Sequence, residues 1–240
     1  MGAVSATGLD VIQWGRERVR AGPWRGDQAV AFLSPLADAP APSAAFVRRC
    51  LDDLSAQGYQ RVVTGALSPA ESTGFLAAGF EITERLYLLA HDLKQVPPAA
   101  PVPMRRARGA DRDEVLRLDH RAFRPFWRLD NHGLEDALRA TPHARFRVSF
   151  VVEGITGYAV HGRAGRRGYL QRLAVDPAQR GTGLGRALVV DGLRWLRRWR
   201  VERVIVNTQL DNDAALQLYE HLGFRRQPVG LSVLSTGLDR

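Results

Sequence analysis

At 240 residues the chain has room for one or two domains, each able to bury its own core. Hydrophobic residues make up 45% with no apolar run long enough to span a bilayer, and the single cysteine, Cys50, excludes an internal disulfide and a thiolate metal cluster. The net charge is +9, but Lys94 is the only lysine and the arginines are scattered, which argues against a nucleic-acid-binding face. The opening Met1-Gly2-Ala3-Val4-Ser5 lacks the basic-then-apolar layout of a secretory signal, so a soluble, cytoplasmic protein without membrane attachment is expected. His120, His132, His143 and His161 lack zinc-ligand spacing, and no metal is expected.

In chain order, Phe46, Leu51 and Leu54 recur with helical spacing, and the apolar run Gln60-Arg61-Val62-Val63 follows. Phe75-Leu76-Ala77-Ala78-Gly79-Phe80 comes next, and Leu86-Tyr87-Leu88-Leu89 reads as a strand. Pro97, Pro98, Pro101 and Pro103 make a stiff extended connector at 96–103. Beyond it, Met104 to Arg106 can form a first strand, Asp111 to Phe123 a helix, and His132 to Ala140 a second short helix. Arg145 to Val152 alternates as a strand, and Glu153-Gly154-Ile155-Thr156-Gly157 turns the chain into Tyr158 to His161.

Tyr169 to Val175 is then a short apolar strand, broken by Asp176-Pro177. Arg180-Gly181-Thr182-Gly183-Leu184-Gly185-Arg186 opens a helix whose apolar positions are Leu184, Leu188, Trp195, Leu196 and Trp199. Strand, glycine-rich turn and helix start together make a cradle for an anion, because the first N–H groups of the helix have no internal partner and the macrodipole adds positive charge there. The turn is not a Walker P-loop, since no Gly-Lys-Ser/Thr follows, and its glycine spacing departs from a dinucleotide fingerprint. Val201 to Thr208 is another strand, followed by a helix from Asn212 to Leu222 and a final hairpin.

These residues resemble the GCN5-related N-acetyltransferase (GNAT) superfamily. Arg180 to Gly185 fits that family's Arg/Gln-x-x-Gly-x-Gly/Ala acetyl-CoA motif, and Asn212, Ala215, Tyr219, Gly223 and Phe224 fit its second signature. The resemblance implies an α/β (α+β mixed sheet) GNAT fold with splayed central strands over residues 104–240. It also implies acetyl-CoA as co-substrate and direct transfer of the acetyl group to a primary amine of a small-molecule or peptide acceptor. Leu173 and Val175 would bond the pantetheine arm through their backbone, with Arg180, Gly181, Thr182, Gly183, Leu184, Gly185 and Arg186 holding the pyrophosphate and Asn212 contacting the arm. Tyr219 would be the general acid that protonates the leaving thiolate. Phe123, Phe126 and Trp127 would wall the acceptor pocket, or else pack their loop onto the sheet. Many relatives carry a glutamate on the central strand, which here reads Gly168-Tyr169-Leu170-Gln171-Arg172. The base is therefore open among Asp119, His120, Glu135, His161 and a water relay. A module that binds acetyl-CoA without transferring it is the alternative.

The first half repeats the second. Gln60-Arg61-Val62-Val63 matches Glu202-Arg203-Val204-Ile205, Phe75 to Phe80 matches Tyr219 to Phe224, and Leu86 to Leu89 lies over Leu231 to Leu234. In the first copy Ala37-Asp38-Ala39-Pro40-Ala41-Pro42-Ser43 replaces the glycine turn, and Phe75 stands where the tyrosine would be. Residues 1–95 are expected to be a truncated, degenerate GNAT-like domain without a cofactor site, 96–103 a linker and 104–240 the catalytic domain.

Overall fold

The computed structural model describes residues 9–36, 38–98, 101–152 and 154–238. The readings placed on residues 1–5, Ala37, Ala99, Ala100 and Glu153 lie outside them. The chain forms two compact units, one of Met1–Leu88, Gln209–Asp211 and Gln227–Arg240, the other of Leu89–Thr208 and Asn212–Arg226.

In the first unit, β1 (Asp10–Trp14), β2 (Glu17–Trp24) and β3 (Asp27–Pro35) form an antiparallel meander. None of these strands is among the elements expected above. The second turn is closed by Arg25 and Gly26, both at positive φ, the geometry of a two-residue hairpin. Then α1 (Ala44–Ala56) buries Phe46, Val47, Cys50 and Leu54 and leads to β4 (Arg61–Thr64), which pairs in parallel with β3. A reciprocal Ser68–Glu71 capping box with Pro69 in the first turn starts α2 (Pro69–Ala77), and β5 (Glu81–His91) follows. Phe75 is fully buried and meets Phe80 edge-on.

The second unit runs β6 (Met104–Arg106), α3 (Arg112–Ala122), α4 (Asn131–Arg139), β7 (His143–Val151), β8 (Gly154–Ala164), β9 (Arg167–Val175), α5 (Leu184–Arg198), β10 (Arg203–Gln209), α6 (Asp213–His221) and β11 (Arg225–Arg226). Strands β6, β7, β8 and β9 are antiparallel in order, and β10 joins β9 in parallel. Helix α3 packs on β8 and β9 beside a core of Val115, Leu118, Leu134, Val148 and Tyr158, while α5 also packs on β8 and β9 through Leu188, Leu193 and Leu196. Trp199, grouped with those apolar positions in the sequence, is instead 55% exposed at the helix end, with the Arg163 guanidinium 4.3 Å from its ring centroid.

The last strand, β12 (Leu231–Gly237), does not close a hairpin with β11 as expected. It belongs to the first unit, antiparallel to both β4 and β5. Leu231 faces Leu86, so two segments matched as copies of each other are ladder partners. Among the described residues no helix is long and apolar enough to cross a membrane.

Candidate functional site

The site is built on an interrupted ladder. Strand β9 pairs with β10 only where Arg203, Val204 and Ile205 face Arg167, Gly168 and Tyr169. Beyond Tyr169 the two strands part, while β9 stays paired to β8 as far as Val175. An irregularity at Val160/His161 shifts the β8–β9 register there, a local device that bends a strand. Asp176 N donates to Thr156 O (2.8 Å), which makes Gly157–Val175 a pair without mutual hydrogen bonds. The N–H and C=O of Val175, and by the period of two those of Leu173, therefore face the side that β10 has left.

The strand ends in a turn with fixed geometry. Asp176 accepts from Ala178 N (3.0 Å) and from the Arg121 guanidinium (2.7 Å), and these hydrogen bonds, Arg121 first, hold its carboxyl below the usual range. Thr182 Oγ1 donates to Gln179 O (2.8 Å). Gly181 (φ +79°) and Gly183 (φ +83°) take left-handed backbone. A Cβ at either position meets nothing within 4 Å, so conformation rather than crowding calls for glycine. Gly183 starts α5 without a side-chain cap, and no acidic residue stands in the first turn, leaving the helix N-terminus free for an anion.

A cavity of about 410 Å³ joins the parted strand to this helix start. Of the residues expected to hold a cofactor, Leu173, Val175, Arg180, Gly181, Gly183, Leu184, Gly185, Arg186 and Asn212 line it; Thr182 does not, its hydroxyl serving the turn. Asn212 also caps α6, accepting from Ala215 N (3.2 Å). Arg180 reaches Ala122 O (3.3 Å) and Arg186 reaches Pro98 O (3.3 Å). A polar wall at the helix end and an apolar wall along the strand suit an extended ligand with a phosphate at one end.

The acceptor residues separate. Phe123 lines the cavity, but Phe126 and Trp127 do not; those two pack edge-on against each other. Tyr219 also lies off the wall, one helical turn past Ala215 and beside Leu218, which both line it. Its ring packs on Phe224 (centroids 5.6 Å apart). Burial pushes its hydroxyl above the usual tyrosine range, and the charge of Arg172 opposes that rise.

Arg172, which the sequence did not single out, anchors the polar network next to the cavity. On β9, its Nε and Nη2 bond both oxygens of Asp119 at 2.8 Å, and Nη2 also donates to Trp127 O (2.7 Å). Asp119 is wholly buried and accepts further bonds from Tyr158 Oη (2.5 Å) and Leu129 N (2.8 Å). Removing one partner of such a buried pair typically costs about 3–5 kcal/mol, because a charge is left without compensation. The network also disposes of Asp119 as a free base. His120 bonds Leu129 O (2.8 Å), Glu135 is held by Arg112 (2.6 Å) and Arg139 (2.9 Å), and His161 is fully buried. None of the four lines the cavity.

Residues 112–224 match the Acetyltransferase (GNAT) family. A mycothiol acetyltransferase of Salinispora tropica is 32% identical over 206 residues, covering 76% of this chain and 67% of that protein. The chain belongs to the GNAT family. A mycothiol acetyltransferase of Thermobispora bispora is 35% identical over 173 residues, 64% of this chain, but only 59% of that protein's length is spanned. The GNAT fold also appears in a solved tandem GNAT protein from the clavulanic acid biosynthesis pathway, at a TM-score of 0.71 over 97% of this chain and 83% of that one, with 14% identity. Seen as a GNAT protein, the chain has six wall residues outside the expected cofactor and acceptor set: Ala122, Ala174, Gln179, Ala214, Ala215 and Leu218. Ala215 and Leu218 follow Asn212 at steps of three, and Ala214 lies four before Leu218, so the α6 positions were open to prediction from helical spacing.

Proposed function

We propose that this GNAT protein moves an acetyl group from acetyl-CoA to a primary amine of a small-molecule or peptide acceptor, by direct transfer. The observation that carries the reading is the edge of β9, which leaves β10 and runs as a cavity wall to the uncapped start of α5. The thioester of bound acetyl-CoA supplies the activated acyl group. The backbone of Leu173 and Val175 takes the pantetheine arm, and the Val175 N–H donates to the thioester oxygen, where charge develops during attack. Gly181, Gly183, Gly185, Arg180 and Arg186 hold the pyrophosphate, and Asn212 contacts the arm. As the new bond to the amine nitrogen forms and the bond to sulfur breaks, Tyr219 protonates the departing thiolate. The amine loses its proton to water, since the carboxylates and histidines weighed as bases are engaged or buried away from the cavity. The mycothiol acetyltransferase relatives support a small-molecule amine acceptor.

The same reading makes residues 1–95 a degenerate GNAT-like half. The order β3-α1-β4-α2-β5 parallels β9-α5-β10-α6 and its following strand. Unlike α5, α1 has its start closed by its own residues: Ser43 accepts from Phe46 N (3.2 Å), and Glu17 accepts from Ser43 N and from Ser43 Oγ (3.0 Å). Glu17, rather than Asp38, puts the negative charge there, because Asp38 is exposed and paired with Arg18 (2.8 Å).

A second reading, a sensor that binds acetyl-CoA without transfer, is favoured by one observation. No acidic or histidine side chain is among the residues that line the cavity, and Tyr219 stands off its wall. A screen of amine acceptors with thiol release as readout, including the acceptor of mycothiol acetyltransferases, separates the two. Acetyl-CoA at a hundredfold excess over its dissociation constant should stabilise the protein by about 2.7 kcal/mol under either reading. Thiol release that depends on an added amine supports transfer. Stabilisation without release from any amine supports the sensor, and no stabilisation sinks both.

A further inference from the structure

The guanidinium of Arg172 joins two walls of one cavity. Its own strand contributes Leu173, Ala174 and Val175, and the segment it grips, residues 123–130, contributes Phe123. The grip has three parts: a two-pronged bond to Asp119, a bond to Trp127 O (2.7 Å), and the flat of the guanidinium 3.5 Å from the centroid of the Phe123 ring. Asp119 extends the hold by accepting from Leu129 N (2.8 Å), and Arg128 closes the segment on itself through Phe123 O (3.2 Å). The segment contains only one short 3-10 turn, Pro125–Trp127, so its shape depends on these bonds more than on a ladder or a long helix.

We infer that Arg172 is a positioning residue: its fork sets where Phe123 and the 123–130 segment stand against the central strand, and so fixes the acceptor end of the cavity. The inference rests on the acetyl-transfer reading for the word acceptor, and on geometry alone for the locking of the segment. Lysine cannot replace the arginine, because an ammonium is a point charge without the planar fork that meets both carboxylate oxygens, the carbonyl and the ring at once. Asp119 and Tyr158 act through Arg172 and hold its orientation.

The test uses the full chain with Arg172→Lys, which keeps the charge and loses the fork. The second form is Arg172→Met with Asp119→Asn, which removes both charges together and leaves no unpaired charge in the core. Amide exchange in residues 123–130 should accelerate by about tenfold or more in both, while α5 keeps its protection and acetyl-CoA still raises the melting temperature as in the parent. The KM for the amine should rise by about tenfold or more, with the KM for acetyl-CoA altered less than about twofold. Unchanged exchange in 123–130 overturns the inference. So does faster exchange spread evenly over α3, β8 and β9, which is the mark of an ion pair that merely stabilises the unit. An equal rise in both KM values overturns it as well. If the parent binds acetyl-CoA but acetylates nothing, the transfer reading falls, and the exchange result alone decides whether Arg172 locks the segment.

Discussion

Two side chains carry opposite lessons about burial. In the proposed transfer Tyr219 gives a proton away, yet burial raises its hydroxyl above the ordinary range, with the Arg172 charge pulling back. A raised hydroxyl stays protonated at neutral pH, so the proton is in place, but it is a weaker acid than an ordinary tyrosine and its transfer depends on the thiolate charge that develops as the bond to sulfur breaks. Tyr219→Phe should therefore leave the acetyl-CoA thermal shift unaltered and cut kcat by about tenfold or more, short of the hundredfold or more typical of a general acid because water recovers part of it. An unchanged kcat, with an acceptor whose chemical step limits turnover, removes Tyr219 from the mechanism. His161 is the contrary case. Its ring lies against α5, where a Cβ at Gly192 would sit 2.0 Å from Nε2, and among the described residues neither ring nitrogen has a hydrogen-bond partner. Burial pushes its imidazole down to about 4. Because the folded pKa is depressed, the unfolded chain takes up the proton first, and stability present above the ordinary histidine value is lost as pH falls from there toward 4. The loss for a fully buried ring is about 2–3 kcal/mol. Denaturant melts at about pH 7.5 and about pH 4.5 should show it, and His161→Leu should flatten most of that slope, His91 supplying a smaller part because burial lowers it too. A slope unaffected by His161→Leu would assign the acid sensitivity elsewhere. At this scale the sequence displayed the cavity residues that sit in short contiguous motifs, such as Gly181 to Gly185. It concealed Phe126 and Trp127 turning off the wall, because Arg172 and Asp119, far apart in the chain, decide how that loop closes.

Elements were legible in proportion to how local their causes are. Helix α5 follows from a glycine start and a repeating apolar face, and α3 and α4 were readable for the same reason. The meander β1–β3 was harder to see: in β2 the buried Val19 and Ala21 lie among arginines, while in β3 Ala29 to Leu33 is an apolar run that was overlooked. The parting of β9 from β10 was expected only through a family resemblance; no residue in either strand announces where a ladder stops. The glycine turn before α5 gives the sharpest prediction at this scale. Since open space surrounds a Cβ at Gly183, a substitution there acts through φ. Gly183→Val forces a β-branched residue into left-handed backbone, a strain of about 1–3 kcal/mol, and should abolish the acetyl-CoA thermal shift. Gly183→Asn, a residue that tolerates that region, should keep most of the response. Equal loss in both variants would show that the missing side chain itself, and not the backbone angle, is what the ligand requires.

At the scale of the whole molecule the sequence suggested one half after another, with the boundary in the proline connector. The chain in fact returns to its first unit at the end. The strings matched between the halves carry no strand partners, since pairing is a long-range choice that neither string encodes, and β12 finds β4 and β5 rather than β11. It is not a marginal addition. Val233 and Leu234 are 1% and 0% exposed, Leu234 N donates to Thr64 Oγ1 (2.9 Å), and Arg61 reaches Ser235 Oγ (3.0 Å). Without β12, the edges of β4 and β5 that it pairs lose their ladder, and buried apolar positions of the first unit lose their cover. A fragment ending at residue 95 should accordingly fail to fold by itself, and its failure to bind CoA would say nothing about a lost cofactor site. The informative variants are Leu234→Ala in the full chain and deletion of 227–240. The first should destabilise the first unit by about 2–5 kcal/mol, the range for emptying a buried leucine site. The second should strip exchange protection from Arg61–Thr64 and from the Glu81–Leu86 part of β5, and a peptide of residues 227–240 added in trans should restore it. Protection that persists in the deletion would mean that β4 and β5 hold their places unaided, and the first unit would then be a domain complete within its own first ninety residues.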